Sequence, residues 1–284
     1  GGAHALIDCT QYTANDPRFG GLNMYENYVC KKILPSGELV EIYAADNSGI
    51  LSYVRIEYAG YAFQPDKEIN SLTLAAVGNG TQIDHIEVAY AKDDAYEWFG
   101  GTVNCKYLIA YKTQDDDFDT DNGYSGYVQF GLALRDSAIA DISKSEAFES
   151  DNNSSGSTAT PFTSAVFSNM TAIGPRASLY GTGNSLFLAG AHIRRNTKIS
   201  IMNSIFMGWP NALLIDASTG TPTDLNTVDS TIRFKNNTLA GNTVNVKYAA
   251  SSSAPTGASD ASMLAWVSNA FYQNAIALNA TDAK

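Results

Sequence analysis

Three segments in the C-terminal half repeat one spacing, and this repeat constrains the fold more tightly than any bulk property. VFSNMTAIG (Val166–Gly174), ISIMNSIFMG (Ile199–Gly208) and IRFKNNTLAG (Ile232–Gly241) each place an Asn five residues before a Gly. The asparagines are Asn169, Asn203 and Asn236, separated by 34 and 33 residues. Apolar residues alternate ahead of each Gly, the pattern of a short strand that ends in a turn. The N-terminal half carries a sister series: YVRIEYAG (Tyr53–Gly60), IDHIEVAYA (Ile83–Ala91), NCKYLIAY (Asn104–Tyr111) and VQFGLAL (Val128–Leu134). A second motif, acid-x-aromatic-acid, sits between these strands as DAYE (Asp94–Glu97), DDFD (Asp116–Asp119) and EAFE (Glu146–Glu149).

Repeats of this length, each holding two or three short strands, suit a solenoid. One coil cannot bury its own apolar side, but coils stacked about 4.8 Å apart share a core and pair their backbones from coil to coil. The expectation is an all-β, right-handed parallel β-helix forming one domain over residues 1–284. Coils would occupy residues 46–250, between an N-terminal cap region (1–45) and a C-terminal cap (251–284). A barrel or sandwich fits less well, because two-residue hairpin signals are rare. Within the C-terminal cap, Met263, Leu264, Val267 and Phe271 fall at helical spacing, which predicts a capping helix over residues 260–274 with Asp260 as N-cap. Stacked Asn169, Asn203 and Asn236 are expected to hydrogen-bond from coil to coil.

Composition agrees with a β-rich extracellular chain: 44% of residues are hydrophobic and only 17% are charged. The net charge of −11 argues against a nucleic-acid partner, which would need clustered Lys and Arg. No apolar run is long enough to span a membrane, and the opening GGAHALIDCT does not have the pattern of a signal peptide. Cys9, Cys30 and Cys105 form no metal spacing. Cys9 and Cys30 could pair in an oxidising compartment; three buried thiols fit equally well.

The segments NGTQIDHIEVAYAKDDAYEWFGGTVNCKYLIAY, DDDFDTDNGYSGYVQFGLALRD and DNSGILSYVRIEYAG resemble a group of bacterial secreted or lipid-anchored envelope proteins. These have right-handed parallel β-helix folds of the pectate-lyase-like superfamily. The resemblance covers roughly residues 46–136 and implies a secreted, periplasmic or outer-surface location. It implies no particular activity, since this fold hosts enzymes, adhesins and tailspikes alike.

The stretch QDDDFDTDNG concentrates five aspartates in ten residues. Strand alternation would turn Tyr96, Phe118 and Phe148 inward and leave Glu97, Asp119 and Glu149 outside. Stacked coils would then carry a ladder of carboxylates, each pair repelling by roughly 1 kcal/mol even in water. Asp94, Asp116 and Glu146 would add a second row. Calcium is the natural counter-ion, with Asp115, Asp117, Asp119 and Asp121 as expected ligands. Asp117, Asp119 and Asp121 follow the 1-3-5 spacing of a calcium loop, yet Asn122 and Val128 replace its Gly and closing Glu, so an EF-hand is excluded. A solvated acidic face without metal is the other possibility.

Two functions follow. In the first, the chain is a non-catalytic envelope protein that is structural or binds a polysaccharide or surface glycan, with Glu97, Trp98, Glu149 and Trp209 as contacts. In the second, it is a calcium-assisted polysaccharide lyase or glycoside hydrolase acting at the acidic face. Asp94, Asp116, Asp119 and Arg135 are then the catalytic candidates, with Arg194, Arg195 and Lys198 as further possible bases. Paired carboxylates about 5 to 9.5 Å apart would serve hydrolysis. The Gly-His-Gly of polygalacturonase-type enzymes is missing, with AHIRR (Ala191–Arg195) the nearest fragment. His4, His85 and His192 form no catalytic signature, and His85 is expected to be structural.

Overall fold

The computed structural model describes residues 30–33, 39–42, 47–60, 69–176 and 183–277. A short antiparallel hairpin, β1 (Cys30–Ile33) with β2 (Leu39–Ile42), comes first. The strands from residue 50 onward form two parallel sheets. One has seven strands: β4 (Leu72–Ala75), β6 (Tyr96–Phe99), β8 (Phe118–Asp121), β10 (Ser145–Ser150), β12 (Phe187–Arg194), β15 (Asn211–Asp216) and β18 (Val244–Ala249). The other has ten: β3 (Ile50–Glu57), β5 (Gln82–Ala89), β7 (Asn104–Tyr111), β9 (Tyr127–Leu134), β11 (Val166–Ile173), β13 (Ser200–Met202), β14 (Ile205–Met207), β16 (Arg233–Lys235), β17 (Thr238–Ala240) and β19 (Ala275–Ile276). The chain alternates between the sheets, so each circuit adds a strand to both. This is a parallel β-helix.

The ten-stranded sheet bends at one residue per coil. Tyr53, His85, Tyr107, Phe130, Asn169, Asn203 and Asn236 all have φ between 52° and 63°. Strand register sets them one above another. A left-handed residue bearing a Cβ costs roughly 1–2 kcal/mol, less for Asn, which bonds locally. Asn therefore suits the corner, and the Asn-x4-Gly spacing records it. Asn236 Nδ2 donates to Asn203 Oδ1 at 3.2 Å, and Asn203 Nδ2 donates to Ser168 Oγ at 3.0 Å. The Asn236–Asn203 step is joined as expected, whereas Asn203 reaches Asn169 only through Ser168, whose Oγ donates to Asn169 Oδ1 at 2.7 Å. A buried ladder lies one residue on: Asn237 Oδ1 accepts from the Ser204 N–H and Asn274 Oδ1 from the Asn237 N–H.

Inside, aromatic rings stack from coil to coil. Phe118 lies 5.6 Å from Tyr96 and 5.1 Å from Phe148, and the column continues to Phe206 and Phe234. Cys105 is a buried free thiol, pushed up to about 12 by burial. Cys9 lies outside the described residues, and with it the Cys9–Cys30 pairing.

Between β15 and β16 the chain makes a single helical turn, α1 (Leu225–Val228). The predicted capping helix is present but shorter, as α2 (Asp260–Val267). Its N-cap is Ser259, which forms a capping box with Ser262. Asp260 instead accepts bonds from Lys247 Nζ and the Tyr248 N–H of β18, at 2.8 Å each. Met263 and Val267 are buried, whereas Leu264 and Phe271 are exposed. The apolar spacing overstated the helix because Phe271 falls beyond its end. No helix among the described residues is long and apolar enough to cross a membrane.

Candidate functional site: an acidic sheet face

Register on the seven-stranded sheet aligns Glu97, Asp119, Glu149 and His192 in one outward row. Tyr96, Phe118 and Phe148 lie inside, as alternation requires. Asp94, Asp116 and Glu146 form a neighbouring row tied into the backbone. Asp94 Oδ1 accepts the Asp116 N–H at 2.9 Å, and Asp116 Oδ1 accepts the Glu146 N–H at 2.7 Å. Asp94 and Asp116 thus each satisfy an amide of the next coil, a reason for acids to recur at this position.

Charge divides the face into two parts. Around β10 and β12 the carboxylates have cations. Arg194 pairs with Glu149 and, at 2.8 Å, with Asp151 Oδ1. Arg195 Nη1 lies 2.6 Å from Asp151 Oδ2. His192 bridges Glu146 Oε1 at 3.0 Å and Asp216 Oδ2 at 3.1 Å. Around β6 and β8 the balance differs. Asp94, Glu97 and Asp119 each bring a carboxylate oxygen within 4.8 Å of the others. Among the described residues, none of the three forms an ion pair with Lys, Arg or His. Asp119 Oδ1 is buried and accepts no ordinary hydrogen bond. Burial, then the charge of Glu97, drives the Asp119 carboxyl well above its usual range. Burial and then Asp93 and Asp121 push Glu97 up to about 8. Such a group requires a shared proton or a cation.

Several expected site residues lie elsewhere. Trp98 and Trp209 are fully buried. Trp98 stacks on Tyr124 at 5.3 Å, and Trp209 donates its indole N–H to the Ala172 carbonyl at 3.1 Å. Neither can touch a glycan. Asp117 also points inward, where its Oδ2 lies 2.9 Å from Arg135 Nε with both side chains fully buried. This contact is an ion pair without hydrogen-bond alignment. The expected metal set of Asp115, Asp117, Asp119 and Asp121 is thus not assembled: Asp117 faces the core, and Asp115 groups with Asp116 and Glu146. Arg135 is a core residue remote from solvent rather than a base on the face. The Arg-x-Lys that polygalacturonase-type enzymes carry beside their Gly-His-Gly was expected to be missing too; the chain has one, Arg233–Lys235, but in β16 on the other sheet.

A family model described as a pectate-lyase like beta helix domain matches residues 41–282. The chain belongs to this pectate-lyase-like β-helix family. No curated protein and no solved structure matches it. Family membership accounts for the stacked coils and leaves the chemistry of the acidic sheet open.

His192, Asp151 and Asp216 escaped the sequence reading as site residues, and Arg194, expected as a possible base, is instead held by Glu149 and Asp151. His192 has a measurable consequence. Burial opposes its charge, but its bonds to Asp216 and Glu146 raise it to about 9. Its folded value exceeds the ordinary 6.5, so its stabilisation is complete below pH 6.5 and is lost as pH rises through 9. The contribution is on the order of 3 kcal/mol at most. Asp216, held down to about 2, reports the same contact and adds nothing further. In urea unfolding, His192→Gln should therefore cost more at pH 6 than at pH 10. An equal cost at both would show that the imidazolium is not what holds this end of the sheet.

Proposed function

We propose that the acidic sheet is a glycan-binding face that holds a hard divalent cation, calcium, between Asp94, Glu97 and Asp119, and that it binds without cleaving. A secreted or cell-envelope setting belongs to this reading. The carrying observation is the buried, unpartnered Asp119 Oδ1 within a carboxylate group that lacks a cation. Calcium takes six to eight oxygen ligands in flexible geometry, so three carboxylates leave positions for sugar hydroxyl or carboxylate oxygens. The non-catalytic part rests on the neighbouring cations. Arg194, Arg195 and His192 are all engaged with carboxylates, and none is placed as a free base.

Thermal melts test the cation. Calcium at about 100 times its dissociation constant should add about 2.7 kcal/mol, seen as a rise of several degrees in Tm that a chelator reverses. Asp119→Asn and Glu97→Gln should abolish the calcium response. Each should also raise the calcium-free Tm slightly, because like-charge repulsion is relieved. An unshifted wild type, or a full response in both variants, would remove the cation from the face. Binding to acidic and neutral polysaccharides should be calcium-dependent and yield no new reducing ends or unsaturated uronate absorbance. Product that disappears in Asp119→Asn would replace binding by cleavage.

A further inference from the structure

A second site lies on the ten-stranded sheet, at its left-handed corner. In the C-terminal coils Asn fills that corner, but in four earlier coils rings do. Tyr53 and His85 stack at 4.3 Å, His85 and Tyr107 at 4.5 Å, and Tyr107 and Phe130 at 5.2 Å. The interplanar angles are 11°, 26° and 9°. All four rings occupy the left-handed corner that Asn fills in the later coils. Beside the column runs an open trough of about 460 Å³, a volume suited to a small organic molecule. His85, Tyr107 and Phe130 line one side, and Glu87, Ile109 and Leu132 the other.

The chemistry of the walls selects the ligand. His85 and Tyr107 give both ring faces to their neighbours, so what the column offers the trough is ring edges. Sugars stack on faces, and those of His85 and Tyr107 are taken. Ring edges carry positive potential and favour the π-face of another aromatic ring, in the edge-to-face arrangement. Ile109 and Leu132, both over a third exposed, add apolar contact. The polar end is defined by Asp84. Its Oδ1 lies 2.7 Å from His85 Nδ1, and its other bonds come from Gln82 Nε2 and Ser52 Oγ. In a neutral imidazole, a carboxylate at Nδ1 holds the proton there and leaves Nε2 as an acceptor. Asp84 and Glu87 would repel an anion.

We infer that this trough binds a small neutral phenol, with its ring against the edges of Tyr107 and Phe130 and its hydroxyl donated to His85 Nε2. The acidic sheet is not involved, so this site and the cation site stand or fall separately.

Calorimetric titration with 4-propylphenol tests it, with 4-propylanisole as the analogue that cannot donate, 4-propylcyclohexanol as the one without a π-face, and methyl glucoside as a sugar. The phenol should bind saturably, and both the anisole and the cyclohexanol should bind roughly tenfold more weakly. His85→Phe keeps the stack, so the protein should fold normally while its preference for phenol over anisole disappears. Leu132→Glu, a change at an exposed position, should abolish binding of the phenol. The assignment is overturned if the wild type shows no saturable phenol binding or binds phenol and anisole equally. It is also overturned if Leu132→Glu binds as the wild type does, or if methyl glucoside binds in a Leu132-dependent way.

Discussion

Replacing Arg135 with methionine is expected to destabilise the protein by about 3–5 kcal/mol, the usual result of removing one member of a buried ion pair. The guanidinium has no access to water, and everything it touches is internal. Its Nη1 donates to the Thr113 carbonyl at 2.8 Å and its Nη2 to the Glu146 carbonyl. The rings of Phe187 and Trp209 lie 5.7 Å and 5.8 Å from its central carbon. Methionine fills much of the same volume, which isolates the polar loss from a packing loss. It removes the side-chain donor to the Thr113 carbonyl and one of two donors to the Glu146 carbonyl, which keeps the Asp117 N–H at 3.2 Å, and it leaves Asp117 without a counter-charge. Urea unfolding should show a lower midpoint at unchanged slope. Adding Asp117→Asn to Arg135→Met should recover part of the loss, since the lone buried carboxylate is then gone. A loss below about 1 kcal/mol in Arg135→Met would mean that water reaches the site. A double variant no better than the single would put the cost in the lost bonds to the Thr113 and Glu146 carbonyls rather than in the charge.

The same pair shows where sequence stops being legible. Alternation predicted that Phe118 points in and Asp119 out, and both do. Asp117 precedes β8, where alternation no longer governs, so it turns inward beside Phe118 and needs a cation from a different coil. Arg135 supplies it from 18 residues away in sequence. Trp98 was readable and was missed. It lies two residues from Tyr96 in β6, and in a strand those two share a face, so an inward Tyr96 implies an inward Trp98. The Asn-x4-Gly spacing was informative because one backbone conformation recurs once per coil. The cations of the acidic face left no such trace. His192 meets Glu149 only because the chain between β10 and β12 happens to return in that register, and neither strand encodes the length of that excursion. For the same reason the corner column was hidden. Tyr53, His85, Tyr107 and Phe130 are three residue types, so only the register of four coils reveals them as one stack.

The second large effect concerns the residue at the centre of the acidic segment. Phe118→Ala should destabilise by about 3–5 kcal/mol, as for other buried aromatic truncations. It should also change the form of the unfolding transition. Phe118 is fully buried and contacts Tyr96 on the coil before, Phe148 on the coil after and Phe167 at 6.2 Å on the other sheet. In a solenoid each coil is held mainly by its neighbours, so stability is a sum of coil terms and interfaces between coils. Removing this ring weakens two adjacent interfaces at once and leaves the coils on either side packed. Denaturation of the wild type is expected to be one transition. That of Phe118→Ala should separate into two, with the coils bearing β4 and β6 lost before those from β10 onward. Hydrogen exchange would follow the order directly, through earlier exchange in Gln82–Ala89 than in Val166–Ile173. A single transition with uniform exchange would show instead that the core transmits stability across a missing ring, and that its cooperativity lies in the backbone ladders rather than in the aromatic column.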